Sequence, residues 1–189
     1  MIRTGIRLVL AIVALIVGVI CAAGCGGPAA PTGTVPTTTT SVVAPPPPPG
    51  HLALVGAVKR QRADLTIDQL KTMPMQTVSA TFGTSKGSET HVEAGVPVIA
   101  LVNDAGLAID GARKHDELNF AVLVVGADGY SALLSYGELA PETGNRQVLL
   151  ALTQDNVALT RPRVVVVGDV MGSRYVSDVV KLQVVRVGP

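Results

Sequence analysis

The sequence predicts an α+β domain, a strand-rich mixed sheet carrying a few short helices. Three observations predict it. Several runs rich in Val, Leu and other β-formers are bounded by Gly, Asp or Pro. The helix signals are short, and each brings its own start or stop residue. Strands and helices do not alternate regularly, which argues against a doubly wound parallel sheet.

The elements follow in order. Leu52 to Lys59 reads as the first strand. Thr66 and Gln69 form a capping-box pattern that opens a helix over Ile67 to Thr72, and Pro74 follows its end. Gln76 to Phe82 reads as a strand. Pro97 suits the first position of a helix running through Asp104, with Gly106 as its stop. Asn119 to Val125 and Ser131 to Ser135 read as strands joined by the turn Gly126-Ala-Asp-Gly129, in which Asp128 is expected to bond nearby amides. Ser135 with Glu138 marks a third short helical turn through Leu139. Gln147 to Thr153, Arg163 to Val167 and Val179 to Val187 complete the strands. The chain has no Trp, two Phe and three Tyr, so the core must be mostly aliphatic.

The 189-residue chain divides into three parts. Residues 1–24 read as a signal peptide: Arg3 and Arg7, then an apolar run from Leu8 to Ile20 that is short for a spanning helix. Ala22-Ala23-Gly24-Cys25 resembles a lipobox, with Ala22 where a larger apolar residue is usual. This resemblance makes Cys25 the lipidated residue, and Cys21 is lost with the signal. Residues 25–50 hold the lipidated Cys and a Thr/Pro-rich linker without charge or apolar periodicity, which cannot form a core. Its Pro45 to Pro49 run should be a polyproline rod of about 15 Å. Residues 51–189 are long enough for one domain.

Removing Arg3 and Arg7 from 15 basic residues leaves a chain close to neutral against its 14 acidic ones. No basic patch stands out, so nucleic acid is not an expected partner. The expected location is the cell membrane, lipid-anchored on the extracytoplasmic face.

Five stretches, in order along the domain, resemble the molybdopterin-binding domain of sulfite oxidase-type oxidoreductases. They are Leu52-Ala-Leu-Val-Gly-Ala-Val58 with Leu65-Thr-Ile-Asp-Gln-Leu70; Gly95-Val-Pro-Val-Ile-Ala-Leu101 with Ala105-Gly106-Leu107; Ala127-Asp-Gly-Tyr-Ser131; Arg161-Pro-Arg-Val-Val-Val-Val-Gly-Asp169; and Gly172-Ser-Arg-Tyr-Val-Ser-Asp-Val-Val180. Val167 stands where relatives often have proline. The resemblance implies a fold that holds molybdenum through a pterin dithiolene and one cysteine thiolate, placed after the strand that ends here at Phe82. This chain offers Gly83-Thr-Ser-Lys-Gly-Ser88 there, with no cysteine. A serine or threonine oxygen is a far poorer ligand than a soft thiolate.

The expected protein is therefore a lipid-anchored binding module of the molybdopterin-binding fold, without a cofactor, that takes a small ligand or an envelope protein. The alternative is a molybdopterin-dependent oxidoreductase working with a membrane electron-transfer partner. Candidate ligand-binding residues are Thr84, Ser85 and Ser88 beside the missing thiolate, Asp128 and Tyr130 in the Asp-Gly-Tyr stretch, and Arg146, Ser173 and Arg174. The glycines of Gly168 to Gly172 would let backbone amides approach a ligand, and Arg174 could grip an anion with two donors. No catalytic residue or metal ligand is assigned. His91 with Glu93 shares one strand face, and His115-Asp116-Glu117 reads as a solvated turn.

Overall fold

The computed structural model describes residues 45–188. Every described residue belongs to one compact unit. The expected signal peptide, Cys25 and the expected linker up to residue 44 lie outside the described residues.

Among the described residues, nine strands form two sheets, in agreement with the α+β expectation. The first has five strands: β1 (His51–Gly56), β2 (Arg62–Thr66), β5 (Phe120–Gly126), β6 (Ser131–Ser135) and β9 (Val179–Arg186), in the order β2-β1-β9-β5-β6. Only the β1–β9 pair is parallel. The second has four antiparallel strands: β3 (Gln76–Thr84), β4 (Gly87–Pro97), β7 (Val148–Gln154) and β8 (Val157–Val166), in the order β3-β4-β7-β8. Three helices, α1 (Ile67–Lys71), α2 (Val98–Ala105) and α3 (Tyr136–Leu139), and two 3-10 turns, Asp116–Asn119 and Gly172–Arg174, connect the strands.

Local signals placed the helices. The Thr66 hydroxyl accepts from Gln69 N, and the Gln69 side chain accepts from Thr66 N, closing the capping box. Ser135 accepts from Glu138 N in the same way at α3. α2 starts one residue later than expected: Pro97 is the last residue of β4 and the N-cap, and Gly106 at φ 70° ends the helix.

Two strands escaped the sequence reading. β2 is a short edge strand in which only Leu65 is buried. β4 lacks apolar alternation because its inward positions are Glu89, His91 and Glu93, which face Phe82, Ala80 and Val78 across the β3–β4 ladder. Paired residues of an antiparallel ladder share a face. The carboxylates and imidazole of β4 therefore stand among the apolar side chains of β3.

The core is aliphatic, as the composition requires. Leu54, Val124, Leu134, Leu150, Val165 and Leu182 are all essentially inaccessible and belong to one cluster that draws on both sheets. Each such side chain contributes about 1.5–3 kcal/mol relative to exposure. Two polar residues are buried with them, Glu93 and Asp116.

The turn before Asp116 is exposed through His115, as expected, but Asp116 itself is buried and partnered. Its carboxylate accepts from Asp110 N at 2.7 Å and from Asn119 at 3.3 Å, and it pairs with Arg186. These bonds lower its pKa from the ordinary carboxylate value, the Asp110 amide contributing most.

Candidate functional site

The end of β3 and the segment 167–175 form the site. Gly83 N donates to Val170 O at 2.8 Å, and Gly83 bridges Met171 in parallel, so this segment continues the sheet on the open edge of β3. Two glycines permit the approach. A Cβ on Gly172 would come within 2.7 Å of the Phe82 ring, and one on Gly83 within 2.7 Å of Met171 Sδ. The segment then returns inward as Tyr175, whose hydroxyl donates to Val166 O at 2.9 Å and whose ring centroid lies 4.4 Å from that of Phe82.

Between β3 and this segment lies an open cavity of about 330 Å³, lined by Phe82, Gly83, Thr84, Arg163, Met171, Gly172, Ser173 and Tyr175. The Arg163 guanidinium sits 5.9 Å from the Tyr175 ring centroid, and its Nη1 is 3.6 Å from Glu93 Oε1. That separation exceeds a hydrogen bond. Both Glu93 oxygens and Arg163 Nε are buried without a hydrogen-bond partner. Burial pushes the Glu93 carboxyl up from its ordinary value, while Arg163 and His91 oppose the shift. An aromatic floor, one cation and a concealed carboxylate thus define the chemistry of the cavity.

His91, two residues before Glu93, is bound at both nitrogens. Nδ1 lies 2.7 Å from Asp155 Oδ2 and Nε2 lies 3.5 Å from Glu89 Oε2. The Asp155 hydrogen bond is the main reason its pKa is raised. Glu89 also accepts from the Thr84 hydroxyl at 3.1 Å. Among the described residues, no group of three or more His, Cys, Asp or Glu is arranged to hold a metal ion.

The structure brings only some of the sequence candidates to the cavity. Thr84 and Ser173 line it. The Thr84 hydroxyl is already engaged, lying 3.0 Å from Gly87 O and accepting from Lys86 N at 3.2 Å. Ser85 occupies the exposed two-residue turn between Thr84 and Gly87, and Ser88 pairs with Gly83 across the ladder. Asp128 caps its turn by accepting from Tyr130 N at 2.9 Å. Tyr130 in turn donates its hydroxyl to Ser173 O and so tethers the loop.

The two arginines favoured by sequence face carboxylates. Arg174 grips Asp169 through Nε at 2.8 Å and Nη2 at 2.6 Å, and its Nη1 lies 3.2 Å from Glu138 Oε1. The Asp169 bonds raise its pKa further above an already high value. Arg146 donates to Val167 O at 3.2 Å and lies 3.8 Å from Asp169. Asp128 and Glu138 take different partners, Tyr130 N and Arg174. Arg174, Arg146 and Tyr130 therefore hold the loop in place.

Sequence reasoning missed Arg163, Glu93, Phe82 and Tyr175 as site residues. A signal existed for one pair: Glu93 on a strand that pairs with an apolar one needs a cation, and Arg163 stands in a run of valines.

Other cavities are similar in size, one of 260 Å³ between α1 and α2 and one of 420 Å³ beside Gly106 and Tyr136. Among the described residues, the cavity at Gly83 is set apart by an arginine whose buried carboxylate partner has no hydrogen bond.

No family model and no curated protein matches the chain. Among solved structures, it is similar to the crystal structure of the sulfane dehydrogenase SoxCD from Paracoccus pantotrophus, at 20% identity and a TM-score of 0.57. The likeness shows the fold. It covers 71% of this chain and 37% of that one, and it agrees with the strand-rich α+β fold expected from the sequence. The chain thus spans well under half the length of that relative.

Proposed function

We propose that this protein is a lipid-anchored, extracytoplasmic binding module of the sulfite oxidase-type fold, working without a molybdenum centre. One observation carries the reading: where the fold's metal thiolate is expected, after Phe82, stand Gly83 and Thr84 at the end of β3, and the Thr84 hydroxyl is committed to Glu89 and Gly87. Both cysteines of the chain, Cys21 and Cys25, lie near its start, outside the described residues. A molybdopterin would also need donors for its phosphate, and Arg174 is held by Asp169 and Glu138. The donor set does not fit that cofactor. What the site offers instead is a cavity with one arginine and a wall of two aromatic rings and Met171, a surface suited to holding a small molecule.

Membrane attachment rests on the resemblance of Ala22 to Cys25 to a lipobox, and two or three acyl chains would hold the domain durably. No helix among the described residues is long and apolar enough to cross a membrane. The test is elemental and pterin analysis of the purified full-length chain. The expected result is no molybdenum and no pterin; stoichiometric amounts of both would establish the oxidoreductase reading instead.

A further inference from the structure

We propose that the cavity beside Gly83 takes a small organic anion, an aromatic or short-chain carboxylate, and that binding is coupled to uptake of one proton by Glu93. The inference rests on the reading of this domain as a binding module and names its ligand class.

The lining decides the class. Phe82, Tyr175, Met171 and the two glycines present an apolar wall, and Arg163 is the one cation among the residues that line the cavity. An inorganic oxyanion would leave that wall uncovered, and a neutral apolar ligand would leave the guanidinium unanswered. A carboxylate on an apolar body meets both. Planar guanidinium matches planar carboxylate through two parallel N–H donors.

The proton follows from what Arg163 already holds. Its present counter-charge is Glu93, which is inaccessible to solvent and 3.6 Å away without a hydrogen bond. A ligand carboxylate drawn to the same guanidinium would place two anions around one cation, with Glu93 shielded from water. Two like charges sharing a site cannot both remain ionised cheaply, and Glu93 is the one denied water. Neutralised, it gives Arg163 over to the ligand.

The charged neighbours of Glu93 act in both directions: His91 and Arg163 oppose its protonation, and Asp155 together with burial favours it. On its own strand stands His91, charged when protonated, whose two nitrogens face Asp155 and Glu89. From the β7–β8 turn comes Asp155, an anion that favours the protonated carboxyl; from β8 comes Arg163, which opposes it. Tyr175 is held neutral by burial, and the β3 and β7 ladder partners, Val78 and Gln154, carry no charge.

The test is calorimetric titration of benzoate into the full-length chain at about pH 5.5 and pH 8, a range in which benzoate stays ionised. Buffers of different ionisation enthalpy report the proton count. The expected result is saturable binding that weakens as pH rises, by up to about tenfold per unit once Glu93 is ionised in the free protein, with close to one proton taken up there. Glu93→Gln should bind at both pH values equally and without proton uptake. Arg163→Gln should lose binding, and Arg163→Lys should retain part of it, with thermal melts confirming that each variant is folded.

Failure to bind benzoate, unchanged binding by folded Arg163→Gln, or a pH dependence that survives in Glu93→Gln would overturn the inference. Each is distinct from failure of the parent reading, which is the finding of molybdenum and pterin in the purified chain.

Discussion

Removing the cation beneath the cavity should expose how costly its carboxylate partner is. In Arg163→Met, Glu93 stays where β4 puts it, fully buried, with no cation beside it. At 3.6 Å the lost attraction is about 4.6 kcal/mol for an effective dielectric of about 20. Breaking one side of a buried pair usually costs about 3–5 kcal/mol. The contact of Arg163 with the Tyr175 ring adds about 0.5–1 kcal/mol. The variant can limit the loss by protonating Glu93, and this fixes the sign of its pH dependence. The Glu93 pKa is raised in the folded state. A carboxyl raised on folding contributes stability that is fully present below its unfolded value and is lost as pH climbs through its folded value. Without Arg163 the folded value rises again, so the variant should regain up to about 1.4 kcal/mol per pH unit on acidification. Urea unfolding of the wild type and the variant at about pH 8 and pH 5 measures both effects. We expect a loss of about 3–5 kcal/mol at the higher pH that shrinks at the lower one, and substantial recovery in Glu93→Gln/Arg163→Met. A loss under about 1 kcal/mol at pH 8, or an equal loss at both pH values, would refute the reasoning.

Four further outcomes are expected, three from the structure and the last from the sequence alone. Gly172→Ala drives a methyl toward the Phe82 ring; it should cost about 1–3 kcal/mol in urea unfolding and weaken ligand binding, because the loop must withdraw from β3. Thr66→Ala removes the hydroxyl half of the capping box and should cost about 1 kcal/mol, seen as a lower thermal midpoint without a change in binding. Asp169→Asn weakens the grip on Arg174 and Arg146 and should raise amide exchange across 168–174 more than elsewhere, since these ion pairs tether that loop. Cys25→Ala should move the protein from the membrane fraction to the soluble fraction, as expected if acyl chains on that residue are its anchor.

Much of the fold was legible because its signals are local. The capping box at Thr66, the Ser135 cap and the stop at Gly106 act within four residues, so α1, α2 and α3 could be placed from the chain alone. β4 was hidden for the opposite reason. Strand patterning assumes that inward positions are apolar, and Glu89, His91 and Glu93 break the pattern where the site needs polarity. The same gap misplaced the site. Arg174 beside two glycines looked like an anion clamp, yet Asp169 and Glu138, the latter 36 residues away, already hold it.

The sequence by itself determined an α+β domain with an aliphatic core, a nearly neutral charge and no cysteine beyond residue 25, because composition and short-range patterning suffice for these. Only the tertiary structure decided which arginine lines the cavity. Arg163 and Glu93 are 70 residues apart and meet because β4 and β8 both flank β7 in one sheet. Whether a charge is bound, buried or available is a property of its neighbours in space, and those are fixed by strand order and register, which no local pattern records.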